Sequence, residues 1–176
     1  SLRSWVTPTE TAGQPTNVVA IPSSESATIT WSPPSNSTTA AVTSYVASAM
    51  SSNSLQSCTY LVPPSNPVFS CQISGLTNGA QYSFVVQGVN VVGTGPASLP
   101  SNLITPSTVP GAPAGVDVRI NGSQAVISWG APLTNGGNPV IKYQVHEYPD
   151  NQECTADTNQ TSCTFENLSP LTRHTF

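Results

Sequence analysis

The sequence predicts an all-β protein built from tandem β-sandwiches, the last of which is truncated. Three observations predict this. Apolar residues come in short runs that alternate with polar ones, which is the period of a half-buried strand. Turn-forming residues interrupt the chain about every 8 to 12 residues, a spacing typical of sandwiches. The same pattern of residues also occurs twice along the chain, which indicates a repeated structural unit.

The repeat is visible as a constant interval between identical residues. Trp31 and Trp129 lie 98 residues apart, and so do three other pairs: Pro34 and Pro132, Tyr45 and Tyr143, Val18 and Val116. After the cysteines the interval shortens to 92, so that residues 75–84 align with residues 167–176. We therefore predict a six-residue deletion in the loops of the second unit.

These intervals divide the chain into three parts. Residues 1–8 align with the end of the complete unit and are expected to be the last strand of a preceding repeat. Residues 15–106 form a complete domain, and residues 113–176 form a second domain that lacks its last strands. The short, proline-bearing linker at 107–113 is typical of a semi-rigid spacer, so we expect neighbouring repeats to form an extended rod.

Strand by strand, the complete domain shows one inward and one outward face. Seven strands are predicted, over 16–21, 26–32, 43–50, 56–62, 68–74, 80–90 and 97–105. In the second strand Ala27, Ile29 and Trp31 alternate with hydroxyl side chains, so the apolar set is expected to face the core. Two later strands alternate in the same way, with inward rows of Phe69, Cys71 and Ile73 and of Tyr82, Phe84 and Val86.

The four cysteines come as two local pairs, Cys58 with Cys71 and Cys154 with Cys163. Four cysteines allow three disulfide connectivities, and local pairing is favoured because each repeat then owns one pair. A zinc site is the alternative, but the usual CxxC and HxxxH spacings are absent. Paired structural cysteines indicate an oxidising compartment, so we expect an extracellular, secreted or cell-surface protein.

Several motifs, in order and twice, resemble the fibronectin type III module. The segment Trp31-Ser32-Pro33-Pro34 resembles its second-strand signature, Tyr45 its third-strand tyrosine, residues 75–86 the turn into its sixth strand, and residues 90–98 its next loop. The resemblance implies an immunoglobulin-like, seven-stranded sandwich.

The resemblance also implies roles for individual residues. Trp31, Tyr45, Trp129 and Tyr143 would be core residues, and Tyr82 would be a corner tyrosine whose hydroxyl ties the preceding loop to the backbone. His174 replaces that tyrosine in the second unit, where an imidazole can still donate a hydrogen bond.

Composition excludes several classes of partner. Only 7% of residues are charged, with 4 Lys and Arg against 8 Asp and Glu. Nucleic-acid binding and attachment to anionic lipid both need clustered basic residues, so neither is expected. No apolar run approaches the roughly 20 residues of a membrane span, and the first residues do not resemble a signal peptide. Disorder is the alternative for such a Ser- and Pro-rich chain, but the alternating apolar runs argue against it.

No catalytic, cofactor or metal site is predicted. The complete domain has no histidine, so a nucleophile there would lack its usual base. His146 lies on a predicted strand and His174 at a structural corner. Three acidic residues near the second cysteine pair offer oxygen ligands for Ca²⁺, but a solvated loop face is the favoured interpretation: Asp150, Glu153 and Asp157.

Sequence motifs for modification and adhesion are uninformative. Four Asn-x-Ser/Thr sequons occur, at Asn36, Asn121, Asn159 and Asn167, which is about the number that the composition gives by chance. The adhesive Arg-Gly-Asp tripeptide of some family members is missing. The loop at 90–96, which occupies that place, is expected to be a contact surface only because sandwich-end loops commonly bind partners.

The function that these observations favour is a non-catalytic structural or adhesive module that builds an extracellular array, fibre or filament. Its partners would be other protein chains, including copies of itself. Two alternatives stay open by analogy with the family: a spacer in a secreted carbohydrate-active enzyme, and a ligand-binding ectodomain module of a membrane receptor.

Overall fold

The computed structural model describes residues 10–35, 40–50, 56–65 and 67–176. Those residues contain strands and turns but no helix, and they divide into two compact units, at 1–108 and 109–176. Both units are antiparallel, which confirms the predicted all-β class.

Among the described residues, the first unit contains seven strands in two sheets. They are β1 (Thr16–Ser23), β2 (Ser26–Ser32), β3 (Ser44–Ala49), β4 (Ser57–Leu61), β5 (Ser70–Ser74), β6 (Phe84–Asn90) and β7 (Gly93–Thr94). One sheet has the order β1-β2-β5 and the other the order β4-β3-β6-β7. The alternation in β2 determines which face is buried: Ala27, Ile29 and Trp31 are at most 6% exposed, and the hydroxyl residues between them are half-buried.

The core of the first unit lies between these sheets and is rich in aromatic residues. Trp31 packs on Tyr45 with ring centroids 5.4 Å apart, and Tyr60 and Phe69 complete the cluster. Such tilted aromatic contacts contribute about 0.5–1.5 kcal/mol each beyond the apolar area that they bury.

The predicted last strand is not regular. Residues 97–105 hold only an isolated bridge, between Ile104 and Tyr82, whereas the short strand β7 was not predicted. Pro100 has no amide hydrogen to donate, so the segment cannot keep a continuous ladder. Serine side chains supply part of the hydrogen bonding to β6 instead. The Ser98 and Ser101 hydroxyls accept hydrogen bonds from the backbone of β6 at 2.9 and 3.1 Å.

The second unit repeats the architecture with five strands. They are β8 (Ala114–Asn121), β9 (Gln124–Gly130), β10 (Lys142–His146), β11 (Glu153–Asp157) and β12 (Ser162–Phe165). One sheet has the order β12-β9-β8, and β10 pairs with β11 in the other. Trp129 packs on Tyr143 at 5.4 Å, the same separation as in the Trp31–Tyr45 pair.

Candidate functional site

The corner before the sixth strand of the first unit is closed by a tyrosine. Tyr82 is 7% exposed, and its hydroxyl accepts a hydrogen bond from the backbone N–H of Thr77 at 3.0 Å. The backbone of Tyr82 also exchanges two 2.9 Å hydrogen bonds with Ile104. The hydroxyl therefore fastens the loop at 76–81 to the start of β6.

The equivalent corner of the second unit is closed by His174 with the opposite hydrogen-bond polarity. The imidazole Nε2 lies 2.9 Å from the carbonyl oxygen of Ser169, which is the residue that aligns with Thr77. A carbonyl oxygen only accepts, so Nε2 donates. The Ser169 N–H is left without a tyrosine oxygen and donates to Oδ2 of Asp150 at 3.0 Å, while the Ser169 hydroxyl donates to Oδ1 at 2.9 Å.

The other face of the imidazole contacts a buried carboxylate. Nδ1 of His174 lies 2.6 Å from Oε1 of Glu147, whose side chain is fully buried. The second oxygen of Glu147 lies 3.5 Å from the backbone N–H of Gln152, a weak contact. Asp150 is a second carboxylate near Nδ1, at 3.9 Å. We call Glu147, Asp150 and His174 the corner triad.

The pKa values of two triad members are shifted by these contacts. The hydrogen bond to Glu147, and next the one to the Ser169 carbonyl, raise the pKa of His174 above its usual 6.5. The backbone and side-chain hydrogen bonds from Ser169 lower the pKa of Asp150 below its usual 3.8. Both shifts favour the charged form of the group concerned, since each hydrogen bond is made to that form.

The corner triad offers three possible metal ligands, two carboxylates and an imidazole, with ligand atoms within 4.8 Å of one another. Two ligands about 2.0–2.1 Å from a tetrahedral Zn²⁺ lie roughly 3.3 Å apart. The 2.6 Å between Nδ1 and Oε1 is a short hydrogen-bond distance instead.

The three acidic residues considered for Ca²⁺ lie at separate places in the second unit. Asp150 belongs to the corner triad, whereas Glu153 lies 3.2 Å from Nδ1 of His146 across the β10–β11 pair. Asp157 lies opposite Lys142 in the same ladder. Since the carboxylates do not converge, they do not form the oxygen cage that Ca²⁺ requires.

Neither histidine has a nucleophile as its partner among the described residues. His146 is on an exposed strand face with Glu153, and both ring nitrogens of His174 face oxygens of Glu147 and of the Ser169 backbone. General-base activation of a hydroxyl or thiol needs a direct hydrogen bond to it or one through a single water.

The cysteines form the two local disulfides, Cys58–Cys71 and Cys154–Cys163, each with Cα atoms 6.1 Å apart. In each unit the two cysteines lie on strands of different sheets, β4 and β5 in the first and β11 and β12 in the second. Each bridge therefore ties one sheet of a sandwich to the other.

Three of the four sequons lie on exposed residues, at Asn121, Asn159 and Asn167. Asn36 lies outside the described residues. Exposure is necessary for glycosylation, but it does not distinguish these asparagines from the many other exposed ones.

The loop expected to act as a contact surface is a hairpin between β6 and β7, which is held in place by hydrogen bonds of the Asn90 side chain. Asn90 is buried, accepts from the N–H groups of Val92 and Gly93, and donates to the carbonyl of Glu10 at 2.9 Å. Val91, at the tip, is 75% exposed.

The cavities of the second unit include two of about 590 and 380 Å³. They are lined mainly by apolar side chains, including Ile120, Leu168 and Leu171 in the larger and Trp129 and Tyr143 in the smaller. Among the residues described, no helix has the length and hydropathy to cross a bilayer.

Glu147 was missed as a site residue at the sequence level. The signal was present in the repeat: at an interval of 98 Glu147 replaces Ala49, and at an interval of 92 His174 replaces Tyr82. Two changes to ionisable residues in one repeat are a reason to ask whether the residues meet.

Curated proteins with similar sequences are much longer than this chain. It is 33% identical over 106 residues to a Kelch domain-containing protein of Saccharolobus solfataricus, covering 58% of the chain and 14% of that protein. It is 36% identical over 75 residues to human Myomesin-2 and 39% identical over 66 residues to the human Netrin receptor DCC; these matches cover 40% and 34% of the chain and 5% of each relative.

A solved structure of the chicken CNTN1 FN1–FN3 domains is similar at 22% identity and a TM-score of 0.41, covering 92% of this chain and 59% of that one. The family model for the fibronectin type III domain matches residues 13–104 and again residues 111–176. The chain therefore belongs to the fibronectin type III family, and it carries two of these domains.

Proposed function

We propose that this chain is a non-catalytic structural or adhesive module of an extracellular protein, which associates laterally with other chains, including copies of itself. The observation that carries the proposal is the nearly uncharged surface of the first unit. Glu25 is the only charged side chain in residues 15–106. Because charge repulsion keeps protein surfaces apart, such a surface meets little electrostatic resistance to association.

The first unit also exposes apolar side chains beside one edge of a sheet. Asn102 pairs through its amide with both backbone groups of Ala20 in β1, at 2.9 and 3.0 Å. Near this contact Ile21 is 57% exposed and Leu103 is 61% exposed. Apolar contacts of this kind supply association energy where charges are scarce.

Extracellular placement is supported by the two disulfides, since such bonds persist in oxidising compartments. A receptor ectodomain is the second candidate, favoured by the similarity to a protein named as a netrin receptor. Sequencing the flanking coding region separates the two. A downstream hydrophobic span would favour the receptor, and continued repeats would favour the fibre or array.

The direct test of lateral association is sedimentation velocity and electron microscopy of the chain over a range of concentrations. We expect concentration-dependent oligomers or filaments. The double variant Ile21→Lys/Leu103→Lys should reduce them, because it charges the exposed edge of the first unit. The matched control, Gln144→Lys/Thr164→Lys, adds the same charge at exposed positions of the second unit and should not. A chain that stays monomeric throughout would contradict the proposal.

A further inference from the structure

We propose that the corner of the second unit is a pH-dependent contact. It holds residues 168–175 in place only while Glu147 and His174 share one proton. The proposal does not depend on the lateral association described above. It starts from the geometry of the corner triad, in which one imidazole contacts two acceptor oxygens.

Both ring nitrogens of His174 face oxygen atoms, and this requires an extra proton. Nε2 donates to the Ser169 carbonyl at 2.9 Å, so in a neutral ring Nδ1 would carry only a lone pair. The 2.6 Å contact between Nδ1 and Oε1 of Glu147 then needs a hydrogen, from an imidazolium or from a protonated Glu147. In either form the pair carries one proton more than a neutral imidazole and a carboxylate.

Removing that proton leaves an ionised carboxylate buried against a lone pair. Glu147 is fully buried, and its remaining contact, to the N–H of Gln152, is 3.5 Å long. Breaking a buried ion pair is costly because an uncompensated charge stays behind. When the proton is lost, opening of the corner lets water reach the ionised Glu147. This is the smallest structural change that solvates the charge.

The charged surroundings add to this dependence. The described ionisable groups that face the imidazole are Glu147, after the end of β10, and Asp150, in the turn that follows. Both are acidic, so neither replaces the lost positive charge. The nearby His146 and Glu153 pair with each other at 3.2 Å.

The direction of the pH effect follows from the raised pKa of His174. A group whose pKa is higher in the folded state stabilises that state fully below its unfolded pKa, near 6.5. The stabilisation is lost as pH rises through the folded pKa. The corner at residues 168–175 is therefore closed in mildly acidic solution and opens at alkaline pH.

Trypsin provides a direct test because Arg173 is exposed and its carboxyl-side peptide bond leads into His174. The full chain is digested at a series of pH values between about 6 and 9.5, a range that brackets the titration of histidine. Rates are divided by those for a free peptide of residues 168–176, which corrects for the pH profile of trypsin. We expect the relative cleavage after Arg173 to rise several-fold with pH, and to rise much more steeply than cleavage after Arg119, in β8.

The matched control is the double variant Glu147→Ala/His174→Tyr, which installs the residues found at the equivalent positions of the first unit. Its relative cleavage should not change with pH. A second measurement needs no variant: the imidazole NMR signals of His174 should titrate above the ordinary histidine value of 6.5. A flat cleavage profile in the unaltered chain, cleavage after Arg119 rising in step, or titration of His174 at or below 6.5 would each overturn the proposal.

Discussion

At the residue scale, the two units attach the same corner loop to the fold with different side chains. The corner loop must be fastened to the start of a strand, and an unpaired buried backbone group there would be costly. Tyr82 does this by accepting from the amide of Thr77. His174 does it by donating to the carbonyl of Ser169, and Asp150 then accepts from the amide that has lost its tyrosine partner.

Removing one oxygen atom tests the first corner. Tyr82→Phe leaves the Thr77 amide without its acceptor, so we expect a loss of about 1–2 kcal/mol in the free energy of unfolding of the first unit. Urea denaturation measures this change. Tyr60→Phe is the control, since the Tyr60 hydroxyl has no hydrogen-bond partner among the described residues; an equal loss in both variants would contradict the role of the corner bond.

Asp150 gives a second, oppositely signed pH dependence at the same corner. Its pKa is lowered by the hydrogen bonds from Ser169, so its stabilising contribution is present above the ordinary carboxyl pKa of 3.8 and is lost on acidification. Asp150→Asn should therefore flatten the acid side of the stability profile of the second unit. Unfolding midpoints measured from about pH 3 to pH 6 check this, and an unchanged acid slope would contradict it.

At the element scale, the last segment of the first unit shows how a strand can be anchored without a regular ladder. The sequence predicts a strand at 97–105, but Pro100 interrupts it. Backbone bonds alternate with serine hydroxyls along β6, where Val86 donates to Ser98 Oγ while the Ser98 amide donates to the Val86 carbonyl. Residue pattern alone does not distinguish this arrangement from a continuous ladder, because serine is equally common on exposed strand faces.

The buried hydroxyl of Ser98 should consequently contribute to stability, although it lies outside a regular strand. Ser98→Ala leaves the buried Val86 amide unsatisfied, and we expect a loss of about 1–3 kcal/mol in the stability of the first unit. The exposed Ser74 of β5 supplies the control, Ser74→Ala, for which almost no change is expected. Comparable unfolding midpoints for the two variants would argue against the anchoring role.

The disulfides act between elements of different sheets. Cys58 and Cys71 are 13 residues apart, so the bridge should contribute about 3 kcal/mol by restricting the unfolded chain. The Cys58→Ser/Cys71→Ser variant should lose about that much in the first unit and leave the second unit unchanged. Urea unfolding followed separately through the amide signals of Ile29 and Ile127 measures both; equal shifts in the two units would contradict local action.

At the scale of the whole molecule, the two domains share a fold but differ in electrostatics. Residues 113–176 contain nine of the twelve charged side chains, whereas residues 15–106 contain one. Stability depends on pH only through groups whose protonation changes on unfolding. Histidine is the side chain whose ordinary pKa lies near neutral pH, and both histidines of the chain lie in the second domain.

This difference predicts separate pH profiles for the two domains within one chain. Between about pH 5 and pH 9 the unfolding midpoint of the first domain should stay constant, while that of the second should fall toward alkaline pH. The same Ile29 and Ile127 signals report the two transitions. Parallel profiles would mean that the corner triad does not set the stability of the second domain.

The sequence by itself determined the fold class and the repeat, and it favoured local pairing of the cysteines, because each rests on a local period or on the repeat interval. A side-chain alternation of two residues decides which face of a strand is buried, whatever the strand pairs with. The tertiary structure alone decided what the ionisable residues do. Glu147 and His174 are 27 residues apart and meet only where the end of β10 approaches the second corner. No local pattern records that meeting, since a hydrogen bond between distant residues depends on how the strands pack.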